Sequence, residues 1–347
     1  MSVRLSNKDR LSIVSDLGTM LSAGIPILEA VSAMLEDAKG NQRNVLETLS
    51  QDLTQGKKIS ESFAKYPDAF DIITVNMIKA AEEAGKLETT LMDVKTNIKK
   101  SIEFNDKIKS ALTYPAFVMV IFGGVLAIIL MFVLPKIAMV FSRLRVDIPW
   151  TTRALINLSD FVIRYTLWIA IGLAVLTAAM IAFYIYKRKV VLNLFYSLPL
   201  ISGLVHEIDL TRFARSLSLM LAAGIPIVYA MELCQQVVLQ KKARRALAKI
   251  GADVSAGRKL SEGFRSTKPI FPALMIRITE AGEKTGTLDK SMQDISEYYE
   301  QEVDSTLGTL TTMLEPVMLV VIGLLVGGLM VSIIAPIYSM IGQIGGR

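Results

Sequence analysis

The sequence predicts an all-α membrane protein built from two duplicated cytoplasmic helical bundles and three transmembrane helices. Three observations carry that prediction. The apolar residues concentrate in charge-free stretches, the charged segments repeat one another, and apolar positions within them recur every three or four residues.

The 347 residues are 52% hydrophobic and 20% charged, too apolar for an ordinary soluble domain. Residues 110–135, 165–186 and 316–346 contain no Asp, Glu, Lys or Arg. Each exceeds the roughly 20 apolar residues that cross a bilayer. The remaining segments hold all the charge, with balances of −1 for 1–109, +3 for 136–164, +3 for 187–315 and +1 for Arg347. The net +6 is therefore dispersed, and no strongly basic domain points to direct contact with nucleic acid.

In chain order the expected parts are a cytoplasmic helical domain at 1–109, a transmembrane helix at 110–135 and an extracytoplasmic loop at 136–164. A second transmembrane helix follows at 165–186, a second cytoplasmic helical domain at 187–315, a third transmembrane helix at 316–341 and an extracytoplasmic tail at 342–347. Arg4, Lys8, Asp9, Arg10 and Asp16 interrupt any apolar core near the start, so a secretory signal is not expected and the N-terminus is placed in the cytoplasm.

The repeat fixes the domain pattern. MLSAGIPILEA at 20–30 matches MLAAGIPIVYA at 220–230, and GKKISESF at 56–63 matches GRKLSEGF at 257–264. An offset of 201 also aligns Glu82 with Glu283, Gly85 with Gly286, Leu87 with Leu288, Pro115 with Pro316 and Pro135 with Pro336. Each copy is a charged segment followed by an apolar one, and the middle span and the 136–164 loop have no counterpart. One extra span between copies puts both charged segments on the same side of a membrane. The positive residues around the spans agree less sharply: Lys95, Lys99, Lys100, Lys107 and Lys109 precede the first and Lys187, Arg188 and Lys189 follow the second, but the loop carries Lys136, Arg143, Arg145, Arg153 and Arg164.

Within each copy, Gly24 and Gly224 are expected to end one amphipathic helix, and Pro26 and Pro226 to open the next. Ser60 and Ser261 read as N-caps of a short helix. After Gly85, the apolar residues Leu87, Leu91, Val94, Ile98 and Ile102 keep helical spacing, as do Leu288, Met292, Ile295, Tyr299 and Val303 after Gly286. This last helix of each copy is expected to run directly into the membrane.

Chemistry-bearing constellations are scarce. The sole cysteine, Cys234, and the sole histidine, His206, read as ordinary structural residues. Residues 251–257 miss the phosphate-loop pattern because five residues separate their glycines and no Gly-Lys-Ser/Thr follows. No catalytic, metal or cofactor site is expected, and three charge-free spans do not suit solute transport. Gly323 and Gly327, followed by Gly328, would allow close helix approach in lipid, within the subunit or in a homo-oligomer. The basic run Lys241, Lys242, Arg244 and Arg245 reads as a solvated helix face. The recurring E-x-x-G-x-L turns leave one question open: turn geometry and packing account for Gly85, Leu87, Gly286 and Leu288, whereas Glu82 and Glu283 serve either helix-start electrostatics or a partner contact.

The duplicated AGIPI segment, the G-K/R-K-x-S-E-x-F block, the E-x-x-G-x-L turn, Tyr114-Pro115, the loop sequence IPWTT at 148–152 and Ser159-Asp160 together resemble the inner-membrane platform proteins of type II secretion systems and type IV pili, the GspF/PilC family. The likeness covers about residues 8–340. It implies a non-enzymatic assembly platform whose partners are a cytoplasmic hexameric ATPase, pilin or pseudopilin subunits, other inner-membrane assembly proteins and the lipid bilayer. Members commonly carry a further segment ahead of the first repeat; here the first helix is expected near Ser6. Thr287 and Lys284 replace Lys86 and Glu83 in the second copy, so the two copies need not present the same face. A membrane receptor or signalling scaffold is the alternative reading.

Overall fold

The computed structural model describes residues 5–133, 135–136, 139, 157, 161, 164–165 and 199–344. The loop motifs at 148–152 and 159–160 and nearly all of the expected 165–186 span lie outside these residues. The ordered elements are helices throughout. The first copy contains α1 (Asn7–Ser22), α2 (Ile27–Asp37), α3 (Gly40–Thr54), α4 (Ile59–Ala64), α5 (Ile72–Ala84) and α6 (Leu87–Ile128), the last continuing as one wide π-type turn over Ile129–Val133. The second contains α7 (Pro199–Ala222), α8 (Ile227–Cys234), α9 (Lys241–Ser255), α10 (Leu260–Ser266), α11 (Ala273–Thr285) and α12 (Leu288–Ile344). The order of helices repeats from one copy to the other, and the third and fifth helices also keep their lengths, 15 and 13 residues.

Local chemistry explains the boundaries. Ser6 and Asp9 exchange hydrogen bonds at the start of α1, a capping box that satisfies two otherwise unpartnered N–H groups. Gly24 and Gly224 take positive φ values of 80° and 77° at the corners after α1 and α7, and the N–H of Ile25 and Ile225 closes back onto Met20 and Met220 carbonyls. Pro26 and Pro226 occupy the N-cap, one residue earlier than a first-turn proline, because their ψ values of 142° and 136° are extended rather than helical.

The chain divides into two compact units. One comprises Met1–Lys107 with Phe195–Ser305, the other Ile108–Leu194 with Thr306–Arg347. Both charged copies thus belong to a single unit, and one buried core runs through them, from Ile13, Leu17 and Phe63 in the first to Phe213, Phe264 and Ile295 in the second. The apolar rows of α6 and α12 face this core: Leu91, Val94, Ile98, Met292, Ile295 and Tyr299 are all buried in it.

Within the same unit, α7 of the second copy packs on α5 of the first. Polar contacts extend the interface: Tyr229 donates to Asn76 Oδ1 at 2.9 Å, Arg212 donates to Asn105 Oδ1 at 3.1 Å, and Lys107 pairs with Asp304 at 2.7 Å. Arg215 pairs with Glu300 and sits 5.6 Å from the Phe104 ring centroid, a geometry in which the ring face attracts the guanidinium.

The second unit has the opposite surface. Phe117, Val120, Phe132, Leu319, Leu324 and Val331 are exposed, a density of apolar surface unlike that of a water-facing protein. Leu288–Gly328 is long and apolar enough to cross a membrane; the apolar stretch Phe117–Val133 is shorter. An apolar groove runs between the two helices, lined by residues that include Val118, Phe122, Val317 and Val321.

Candidate functional site

The two recurring motifs meet in space, once in each copy. Helix α4 begins after Lys58 and α10 after Lys259, and neither residue offers a side-chain cap. Their first N–H groups would be left without acceptors. Glu82, three residues before the end of α5's glycine turn, reaches across to supply them: its carboxylate accepts from Ile59 N at 2.6 Å, Ser60 N at 3.3 Å and Ser60 Oγ at 2.5 Å. Glu283 repeats the arrangement with Leu260 N at 2.5 Å, Ser261 N at 3.3 Å and Ser261 Oγ. A carboxylate at a helix start is also favoured by the helix dipole. The helices concerned, however, are α4 and α10, not the α6 and α12 that follow the glutamates in sequence.

Ser60 and Ser261 therefore do not cap their helices, contrary to the sequence reading. They lie one turn-residue inside, both 3% exposed, and their hydroxyls donate to the capping glutamates. Gly85 and Gly286 complete the unit at φ 65° and 73°. This left-handed geometry lets Lys86 N and Thr287 N donate back to the carbonyls of Ala81 and Gly282, a glycine helix stop. Leu87 and Leu288 then start the next helix, half-buried against the core. The rim of the turn differs between copies: Glu83 pairs with Lys58 at 3.3 Å, whereas Lys284 pairs with Glu280 at 2.9 Å.

Two further carboxylates matter that the motifs did not single out. Asp52, 3% exposed, accepts from Lys57 at 2.9 Å, from Ser62 at 2.7 Å and from Lys65. The Lys65 and Lys57 ammonium groups and the Ser62 hydroxyl hold its carboxyl well below the usual carboxylate range. Asp209, 1% exposed, accepts from Leu239 N at 2.5 Å and Gln240 N at 2.8 Å, so it ties down the turn that leads into α9; burial pushes its carboxyl up against those hydrogen bonds. Spacing alone could have hinted at Asp52, which lies five residues before Lys57, but the N–H groups that donate to Asp209 lie 30 and 31 residues after it.

Cys234 is buried and its thiol is pushed up by that burial; His206 is half-buried and its imidazole is pulled down. Neither forms a constellation with other reactive groups, and among the described residues no group of three His, Cys, Asp or Glu could hold a metal ion. Lys241, Lys242 and Arg245 are exposed on α9, while Arg244 ties the preceding turn by donating to the carbonyls of Gln235 and Val238. Gly323 and Gly327 are exposed, and a Cβ added at either would meet no atom within 4 Å among the described residues.

The geometry is that of a helical scaffold whose repeated polar residues hold its own elements together. Comparison with known proteins gives the family. A model of type II secretion system protein F matches residues 13–135 and again 213–336, the two copies defined above, and the chain belongs to this family. It is 32% identical to the type IV pilus assembly protein PilC of Pseudomonas aeruginosa over 95% of this chain and 89% of that one. It is 31% identical to the type IV pilus assembly protein TapC of Aeromonas hydrophila over 96% of this chain and 82% of that one. It is 26% identical to the type II secretion system protein F of Aeromonas hydrophila over 96% and 87%.

Proposed function

We propose that this protein is a non-enzymatic, multi-pass platform of the inner membrane, with its N-terminus in the cytoplasm, that couples a cytoplasmic hexameric ATPase to the polymerisation of pilin or pseudopilin subunits. The observation that carries the reading is the division of surface chemistry along single helices. Helix α6 is anchored through Leu91, Val94 and Ile98 in a charged, well-packed unit and continues to exposed apolar residues such as Phe117 and Val120. Helix α12 does the same from Met292 and Ile295 to Leu319 and Leu324. A continuous helix is a stiff element, rising about 1.5 Å per residue, and suits transmission of displacement from water to lipid.

The three spans at 110–135, 165–186 and 316–341 belong to this proposal. So do the partners: the exposed turns after Glu82 and Glu283 are candidate docking points for the motor, and the apolar groove between α6 and α12 suits the hydrophobic stem of a pilin. The names of the relatives, which are pilus assembly and secretion proteins, support it.

Deletion of the protein, followed by complementation, is the direct test. Loss of filaments or of secretion, restored by the full chain, is expected together with co-purification of the ATPase. Normal filament and secretion output after complete deletion would overturn the platform reading. A cytoplasmic-type reporter signal from an enzyme fused after Arg347 would overturn the topology alone.

A further inference from the structure

The contact between the two copies is one-sided, and this asymmetry leaves two matching surfaces open. Helix α7 of the second copy packs on α5 of the first, and at the α7–α8 corner Tyr229 donates to Asn76 while Ile225 lines a shared cleft with Asn76 and Ala80. On α5, Ile73 and Met77 are 3% and 1% exposed. Their counterparts on α11 are Leu274, which is 40% exposed, and Ile278, which is half-buried. Ala281 is exposed where Ala80 is half-buried. The α1–α2 corner shows the same loss from the other side: Ile25 is half-buried where Ile225 is buried.

The polar pair at the centre of the internal contact is Tyr229 with Asn76, 2.9 Å apart. The repeat alignment replaces Tyr229 by Glu29 and Asn76 by Arg277. The neutral pair thus becomes a pair of opposite charges on the two open surfaces. Both side chains are exposed and, among the described residues, neither has an ion-pair or hydrogen-bond partner. Nearby Glu280, in contrast, is already held by Arg265 and Lys284, so among the described residues Arg277 is a cation of α11 left without an acidic partner.

We propose that a second copy of this chain occupies these surfaces, its α1–α2 corner seated on α11 as α7–α8 is seated on α5, with Glu29 of one chain facing Arg277 of the next. Such a contact is heterologous: each chain uses one surface to give and a different one to receive, so chains add head to tail into a ring or an open row. A two-fold dimer would instead bring identical residues together.

Cysteine cross-linking of the full chain in native membranes tests this, with unsubstituted protein giving the background from buried Cys234. Chains carrying Glu29→Cys and chains carrying Arg277→Cys, distinguished by two tags and co-expressed, are expected to give one covalent dimer that contains both tags. The doubly substituted chain is expected to give a ladder of dimers, trimers and higher species. Separately, Glu29→Arg or Arg277→Glu should lower the amount of cross-linker-trapped oligomer about tenfold or more through like-charge apposition, and combining the two in one chain should restore it. Dimers formed by either single-cysteine chain alone, a double-cysteine chain that stays monomeric, or a charge swap that fails to restore association would each overturn the proposal.

Discussion

The two copies solve the same folding problem with different side chains, and the differences show which parts of the repeat are structural necessities. Both use a glutamate from the fifth helix to cap the fourth, with distances that agree within about 0.1 Å. Both use a left-handed glycine to stop that fifth helix. Around this constant element the packing diverges. The first copy stacks Phe63 on Phe70 at 3.9 Å and surrounds Asp52 with Lys57, Lys65 and Ser62. In the second copy Ile13 is replaced by Phe213, and Phe213, Phe264 and Phe271 form a three-ring cluster. There, among the described residues, the Asp253 side chain keeps only Arg258, at 3.3 Å, because Gly263 and Ser266 stand where Ser62 and Lys65 stood. Ile250 already fills the space beside Gly263: an added Cβ would come within 2.8 Å of it. One copy is held by a polar network at the place where the other is held by apolar contact.

The aspartate pair Asp9 and Asp209 diverges more subtly. The same repeat position closes a capping box at the start of α1 in the first copy and holds the turn that precedes α9 in the second. A residue can therefore persist through duplication while its hydrogen-bond partners change.

The largest expected effects lie in the aromatic cores. Phe63→Ala and Phe264→Ala should each cost about 3–5 kcal/mol through lost burial and the cavity left behind, with Phe264 the more costly because two rings lose their partner. Thermal unfolding of the detergent-solubilised chain measures both, and a smaller loss at Phe264 would break the comparison. Next come Glu82→Ala and Glu283→Ala, each expected to cost about 2–3 kcal/mol by leaving partly buried N–H groups unsatisfied. Equal losses are the prediction here. Glutamine at either position should retain part of the stability, since its amide oxygen still accepts.

Smaller still is the contrast at the paired aspartates. Asp52→Asn should cost about 1–2 kcal/mol, since charge-assisted hydrogen bonds are lost around a buried group, whereas Asp253→Asn should cost under about 0.5 kcal/mol because its partner is exposed. The pH dependence sharpens this. The folded-state pKa of Asp52 is depressed, so its contribution is complete above the unfolded value, about 3.9, and is lost as pH falls towards the folded value. The stability gap between the native chain and Asp52→Asn should thus be constant from neutral pH to about pH 5 and shrink below about pH 4. A gap that stays flat down to pH 3 would show that the charge of Asp52 is not what stabilises the network. Asp209 has the opposite sign: its raised folded-state pKa means that its contribution diminishes as pH rises through that value.

Much of this fold is legible in one dimension. The rows Leu91, Val94, Ile98 and Met292, Ile295, Tyr299 could be read as buried helix faces because helical spacing is a local property. Gly85 and Gly286 could be read as turns for the same reason. The meaning of Glu82 and Glu283 was not legible, since the N–H groups that donate to them lie 22 and 23 residues earlier in the chain and nothing in the spacing identifies which helix start lacks a cap. Ser60 and Ser261 were misplaced for the same cause: serine before an apolar run is a common N-cap signal, and only the arrival of a glutamate from another helix frees the hydroxyl to donate instead.

The sequence by itself determined the helical class, the duplication and the alternation of charged and apolar segments, because propensity, periodicity and composition are written residue by residue. Tertiary structure alone decided that the two charged copies share one core and that their contact is one-sided. Those outcomes depend on which apolar faces and capping groups meet at long range, and a duplicated sequence is compatible with either a symmetric or an asymmetric answer.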